Sequence, residues 1–139
     1  MQAINTTMST HTILWADDDP DDRELFKEVL SSLPVTTQIQ EFPNGRELIN
    51  FLKKSDLKPL PCLIVLDMNM PVLDGKETLA ILKSEERFHS IPLVMFTTSN
   101  NELDRKFCDR FHIEMLTKPV SFEKVRPLMS HLLDICTNH

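Results

Sequence analysis

Apolar residues in this chain fall into short uninterrupted runs, separated by longer segments with helical spacing. Thr12-Ile13-Leu14-Trp15-Ala16, Leu63-Ile64-Val65-Leu66 and Ile91-Pro92-Leu93-Val94-Met95-Phe96 lack the polar–apolar alternation of a half-exposed strand. The first two predict buried strands, the usual state of central parallel strands, and the third predicts a further strand. Pro92 is tolerated only at the start of its strand. Gln38-Ile39-Gln40-Glu41-Phe42 does alternate, which predicts a more exposed strand at the sheet edge. Ile113-Glu114-Met115-Leu116-Thr117 predicts a fifth, short strand.

Between these runs the apolar spacing changes to three and four. Leu25, Phe26, Val29, Leu30 and Leu33 line one face of a helix that ends before Pro34, with Asp19 as N-cap and Pro20 at its first position. A second helix follows Pro43-Asn44-Gly45 and carries Leu48, Ile49, Phe51 and Leu52. A third opens at Gly75 behind Asp74, carries Leu79, Ile81 and Leu82, and ends in a charged turn, Glu85-Glu86-Arg87. A residue of Thr98 to Asn100 caps a fourth helix, whose apolar face is Leu103, Phe107, Cys108 and Phe111. Ser121 caps a fifth, with Val125, Leu128, Met129, Leu132 and Leu133 inward and Pro127 kinking it or marking a tight first turn. Five strands alternating with five helices predict an α/β domain on a parallel sheet. Residues 1–11 read as a flexible tail and 12–139 as one domain.

Composition changes this picture mainly by exclusion. At 139 residues the chain can bury a core without staples. Its formal charge of −6 argues against DNA as a partner, because phosphate binding needs a basic surface. No apolar stretch has the length of a membrane span, and the polar start lacks a signal-peptide core, so a cytoplasmic protein without membrane contact is expected. Cys62, Cys108 and Cys136 are odd in number, widely spaced and set among apolar residues. They read as three buried thiols of a reducing compartment, without disulfide or metal spacing. His11, His89, His112, His131 and His139 show no ligand spacing and read as incidental. With two glycines, no glycine-rich phosphate loop exists.

The chemistry lies at the predicted strand ends. The first strand runs into Asp17-Asp18-Asp19-Pro20-Asp21-Asp22. Capping and the helix dipole account for Asp19, Asp21 and Asp22, but not for Asp17 and Asp18. The third strand ends at Asp67, the fourth at Thr97 and the fifth at Lys118. Right-handed crossovers bring these ends to one edge of the sheet, where ligands of open α/β sheets collect. Two acids beside a third make a hard-oxygen site suited to Mg²⁺. An amine and a hydroxyl opposite are what a transferring phosphoryl group needs, with Asp67 as the carboxylate nucleophile.

The order Asp17-Asp18, then Leu63-Ile64-Val65-Leu66-Asp67-Met68-Asn69-Met70-Pro71-Val72-Leu73-Asp74-Gly75, then Thr97-Thr98, then Lys118-Pro119 resembles the receiver domain of two-component response regulators. The resemblance spans residues 12–135, and the motifs are specific as a set. It implies a flavodoxin-like (βα)5 three-layer sandwich with strand order 2-1-3-4-5. It also implies a stand-alone, chemotaxis-regulator-like protein without an output domain. The acidic start and the Thr97-Thr98/Lys118-Pro119-Val120 pattern are similar to the branch paired with phytochrome-like sensor kinases.

Carried over by position, the resemblance implies that Asp67 accepts a phosphoryl group from a sensor histidine kinase or phosphotransfer protein. Asp18, Asp67 and the Asn69 backbone carbonyl would ligate Mg²⁺, and Asp17 would hold metal-bound water. Lys118 would pair with Asp67 and then with the phosphoryl oxygens, and Thr97 would hydrogen-bond that group as the switch. The Lys118-Pro119 bond would be cis. The protein would catalyse only its own phosphotransfer and dephosphorylation and would signal to a downstream protein target. The face of helix 4, strand 5 and helix 5 would serve partners or a homodimer. One position departs from the family pattern. Met115 stands where the switch aromatic is expected, and the chain has no Tyr.

Two other classes compete. A Mg²⁺-dependent phosphatase using an aspartyl-phosphate would want a second acid two residues after the nucleophile, where this chain has Asn69, and a cap domain. A degenerate receiver would bind partners without phosphorylation, yet every chemical position holds the required residue type.

Overall fold

The computed structural model describes residues 11–56, 58–98 and 101–137. The tail expected over residues 1–10 lies outside the described residues, while His11 already belongs to the first strand. The elements run β1 (His11–Ala16), α1 (Pro20–Ser31), β2 (Thr37–Phe42), α2 (Gly45–Lys54), β3 (Leu63–Asp67), α3 (Gly75–Ser84), β4 (Leu93–Thr97), α4 (Glu102–Arg110), β5 (Glu114–Thr117) and α5 (Val125–Thr137). A 3₁₀ turn, Phe122–Lys124, leads into α5. All strand pairs are parallel and the order is β2-β1-β3-β4-β5, the flavodoxin-like arrangement that the resemblance implies.

The continuous apolar runs occupy the middle of the sheet because both faces are covered. β3 and β4 are buried at every position, whereas β2 at the edge alternates between exposed and half-buried until Phe42. Successive residues of each strand feed opposite layers. Leu14, Ile64, Leu66 and Met95 pack with Leu48, Ile49, Leu52, Leu79 and Leu82 on the side of α2 and α3. Ile13, Trp15, Val65, Val94 and Phe96 pack with Phe26, Leu30, Met129 and Leu132 on the side of α1 and α5. Trp15, the lone tryptophan, lies against Phe26 and Phe96 at centroid distances of 5.4 and 5.6 Å.

Local chemistry sets the helix starts. Asp19 caps α1 by accepting from the Asp21 and Asp22 amides, with Pro20 at the first helical position. Asp74 and Glu77 form a reciprocal capping box at α3. Three expectations are corrected. The α4 cap is Asn101, one residue beyond the Thr98–Asn100 window, and it accepts from the Asp104 amide. Ser121 precedes the 3₁₀ turn without a side-chain cap bond, and Pro127 falls in the first turn of α5, where its missing N–H breaks no ladder bond. The α3 helix ends at Ser84, leaving Glu86 and Arg87 outside it.

The cysteines are the larger correction. Cys62 and Cys136 form a disulfide across a sequence separation of 74, with Cα atoms 4.9 Å apart, and Cys108 alone is a buried free thiol. Cys62 immediately precedes β3 at the amino edge of the sheet. Helix α5 leaves the carboxyl edge after β5 and returns across the face, so its last turn delivers Cys136 to the same place.

Gly75 is where close approach decides the residue. A Cβ there would lie 2.4 Å from the Asp67 carbonyl oxygen and 2.9 Å from the Met68 Cα, both backbone atoms that cannot yield cheaply. The Gly75 amide also donates to the Met68 carbonyl at 3.1 Å, holding α3 against the end of β3. Gly75→Ala is expected to cost about 2 kcal/mol through overpacking, read as a lowered midpoint in urea unfolding. An unchanged midpoint would mean that the loop between β3 and α3 moves aside freely.

Candidate functional site

Parallel pairing places Asp67 opposite Phe96, and Thr97 opposite Thr117, so the ends of β3, β4 and β5 lie side by side. Ala16 pairs with Leu66, which brings Asp17 level with Asp67. Asp17, Asp67 and Thr97 are all buried in this row, at 0%, 5% and 0% exposure. Asp18 and Asn69 are exposed above it. Carboxylate oxygens of Asp17, Asp18 and Asp67 lie within 4.8 Å of one another. The row is held by backbone bonds at 2.7 to 3.0 Å: Met68 N–H to Phe96 O, Lys118 N–H to Thr97 O and Asp17 N–H to Phe42 O.

The Lys118 ammonium sits among three carboxylates. Its Nζ is 2.9 Å from Asp17 Oδ2, 3.0 Å from Asp22 Oδ2 and 3.3 Å from Asp67 Oδ2. The Lys118 side chain is 9% exposed, so its pairs with buried Asp17 and Asp67 are shielded from water, whereas the Asp22 side chain is 33% exposed. The other oxygens take backbone donors. Asp17 Oδ1 accepts from the Asp19 amide at 3.0 Å, and Asp67 Oδ1 accepts from the Asn69 amide at 3.4 Å. Arg23 donates to the Asp17 carbonyl and pairs with Glu41 at 3.1 Å, which ties the first turn of α1 to β2 beside the site.

One ammonium does not neutralise these acids, and the protonation equilibria show it. Burial, aided by the Asp17 charge, pushes the Asp67 carboxyl up to about 7 despite Lys118 and the Asn69 amide. Burial alone would lower Lys118, but hydrogen bonds to Asp17 and Asp22 and the charges of Asp17 and Asp67 hold it above the ordinary lysine value. The amine therefore stays charged while Asp67 gains a proton near neutrality. A cluster of hard oxygens with surplus negative charge fits a divalent cation of the Mg²⁺ type.

The structure brings together five of the residues singled out from the sequence: Asp17, Asp18, Asp67, Thr97 and Lys118. Met115 pairs with Met95 in the sheet, half-buried against the α2–α3 layer. The Lys118–Pro119 bond is trans, because the cis peptide among the described residues is Lys58–Pro59. Its amide lies on the Thr97 carbonyl, and this sheet-like bond already aims the side chain inward. Asp22 was overlooked. Its position in the first turn of α1 explains it as a helix-start acid, but the same turn also points it at Lys118. The signal was the surplus of acids over capping roles in residues 17–22.

The loop after β3 is shaped for a close turn. Val72 has φ 69° and is 76% exposed, and the Leu73 amide donates to the Pro71 carbonyl at 2.7 Å. This is a three-residue γ-turn with a β-branched residue at its strained centre. It carries the chain from Asp67 to the Asp74 cap within seven residues.

Comparison with known proteins gives concordant findings. The model of the response regulator receiver domain family matches residues 13–129. The response regulator Rcp1 of Synechocystis sp. is 32% identical over 133 residues, covering 90% of each chain. Among solved structures, the phosphorylated cyanobacterial phytochrome response regulator RcpA superposes with a TM-score of 0.83 at 26% identity, covering 94% of this chain and 97% of that one. The Mn²⁺-bound form of Rcp1 superposes with a TM-score of 0.78 at 29% identity, covering 89% and 92%.

Proposed function

Because this chain belongs to the response regulator receiver domain family, we propose that it takes a phosphoryl group from a histidine kinase or phosphotransfer protein onto Asp67 and signals by altered protein contacts. The observation that carries this reading is the buried Asp67–Lys118–Asp17 cluster, with Asp18 exposed at its mouth. In the transfer, an Asp67 carboxylate oxygen attacks phosphorus in line, a P–O bond forms and the P–N bond to the donor histidine breaks. Asp18, Asp67 and the Asn69 backbone carbonyl are the residues that would hold Mg²⁺, with Asp17 behind them. Bound there, the ion supplies the positive charge that offsets the transferring phosphoryl oxygens. The Mn²⁺-bound relative and the hard-oxygen donor set support this assignment.

Lys118 is the residue placed to follow the charge from the carboxylate to the phosphoryl group. Its bonds to Asp17 and Asp22 keep it in position when Asp67 is modified. Thr97, buried at the end of β4, is the hydroxyl suited to bind the new oxygens and to move the β4–α4 loop, biasing a two-state equilibrium. Met115 fills the position of the usual switch aromatic without a hydroxyl to expose.

Exposed apolar residues on α4 and after β5, namely Leu103, Val120 and Phe122, suit a downstream protein partner or a second copy of the chain. No helix among the described residues is long and apolar enough to cross a membrane. A receiver of the kind found in the phytochrome response regulators is the reading that the comparisons support.

The test is incubation with acetyl phosphate and Mg²⁺, followed by intact mass. A single phosphoryl adduct is expected on the wild type, absent from Asp67→Asn and after EDTA. No adduct on the wild type would replace this reading by a partner-binding module that works without phosphorylation.

A further inference from the structure

We propose that His11, Cys62 and Cys136 form a Zn²⁺ site in the thiol-reduced protein, with the disulfide as the oxidised, metal-free form of the same cluster. A His11 ring nitrogen and the two Sγ atoms lie within 4.8 Å of one another. Three elements deliver them: His11 opens β1, Cys62 directly precedes β3, and Cys136 sits in the last turn of α5. Cys136 is 4% exposed, while His11 and Cys62 are half-buried, so the cluster is sheltered yet reachable from one side. The backbone beneath it is fixed, since the Cys62 amide donates to the Thr12 carbonyl at 2.9 Å.

The cluster is separate from the acidic site. β1 spans His11 to Ala16, so at about 3.3 Å per residue the two ends stand roughly 17 Å apart. Their chemistry also differs. Thiolate and imidazole are soft or borderline donors that select Zn²⁺ over Mg²⁺, whereas the carboxylates around Asp67 do the reverse. Two thiolates and one imidazole provide three of four tetrahedral ligands, with sulfur at about 2.3 Å and nitrogen at about 2.0 Å from the ion. The fourth position is open to water or to a partner's side chain.

The disulfide shows that both sulfurs already share one point in space, so a reduced pair needs only side-chain rotation to hold an ion between them. In a reducing compartment the pair is a dithiol. Conversion between the forms is thiol–disulfide exchange with a low-molecular-weight disulfide. One cysteine thiolate attacks that disulfide, and the first partner sulfur leaves as a thiolate. The second cysteine thiolate then displaces the other partner sulfur, forming Sγ–Sγ and releasing the ion. Two electrons pass to the small disulfide, whose two thiolates take protons from water.

The test uses the full chain reduced with a phosphine and titrated with Co²⁺, then Zn²⁺. One equivalent of Co²⁺ should give thiolate-to-cobalt charge transfer and the visible bands of a tetrahedral ion, bleached by Zn²⁺. Oxidised protein and Cys62→Ser should give neither, and Asp67→Asn should give both unchanged, which separates this site from the acidic one. His11→Ala alters a half-buried residue at a strand start and leaves the sulfurs intact. It should weaken Zn²⁺ binding by at least about tenfold, the loss already typical of groups that only orient a ligand. Absence of the charge-transfer band in reduced wild type, or undiminished binding in His11→Ala, would overturn the site.

Discussion

Replacing Lys118 by methionine lowers the folding stability of the metal-free protein at pH 8 by an expected 3–5 kcal/mol. Methionine keeps the buried stem but removes the one ammonium facing Asp17, Asp22 and Asp67. Asp17 and Asp67 cannot turn outward to water. Asp17 is wholly buried, its Oδ1 bound to the Asp19 amide, and Asp67 Oδ1 is bound to the Asn69 amide. Removing one partner of a buried pair leaves the other charges uncompensated, the costly half of any such deletion. The loss should shrink toward pH 5, where Asp67 binds a proton and the cluster sheds a charge. It should shrink again with added Mg²⁺, whose charges enter the same carboxylates. Urea unfolding followed by Trp15 fluorescence measures all three conditions, since that ring is 2% exposed in the native state. A loss under about 1 kcal/mol at pH 8, the scale of an exposed pair, would mean that water already carries these charges.

The same cluster shows how far residue patterns reach. Leu63-Ile64-Val65-Leu66 announced a strand buried on both faces, because a run without alternation has no solvent side. Asp19-Pro20 and Asp74-Gly75 announced helix starts through rules that involve only neighbouring residues. Asp67, Thr97 and Lys118 could be placed together because parallel strands with right-handed crossovers deliver their carboxyl ends to one edge. What stayed illegible depends on orientation or distant return. Asp22 had a sufficient local explanation, and only the direction of the first turn of α1 shows that it also reaches Lys118. Cys62 and Cys136 meet because α5 ends beside the start of β3, a fact about helix length and packing angle that spacing does not encode. His11 read as incidental for the same reason. The α4 cap fell on Asn101 because adjacent polar residues compete for that role on nearly equal terms.

Asp67→Asn should change stability in the opposite direction to Lys118→Met, since three carboxylates around one ammonium gain by losing a negative charge. The sign follows from proton binding. In the folded, metal-free protein Asp67 holds a proton up to about pH 7, whereas an unfolded aspartate loses it near pH 4. Between these values the folded state binds more protons than the unfolded state, so wild-type stability falls as pH rises from about 4 through 7. The asparagine variant lacks this dependence and keeps Lys118 paired with Asp17 and Asp22. The two proteins should thus unfold together near pH 4, and the variant should be more stable by about 4 kcal/mol well above pH 7. That gap amounts to roughly 10–15 °C in Tm for a chain of this size. Mg²⁺ should reverse the order at pH 8, because the wild type offers the ion a carboxylate and the variant an amide. Acetyl phosphate with Mg²⁺ should modify only the wild type. Thermal melts at pH 5 and pH 8, each with Mg²⁺ and with EDTA, contain the whole comparison. Equal melting points at pH 8 in EDTA would mean that Lys118 alone neutralises Asp67. The surplus charge would then not be what draws a cation into this site.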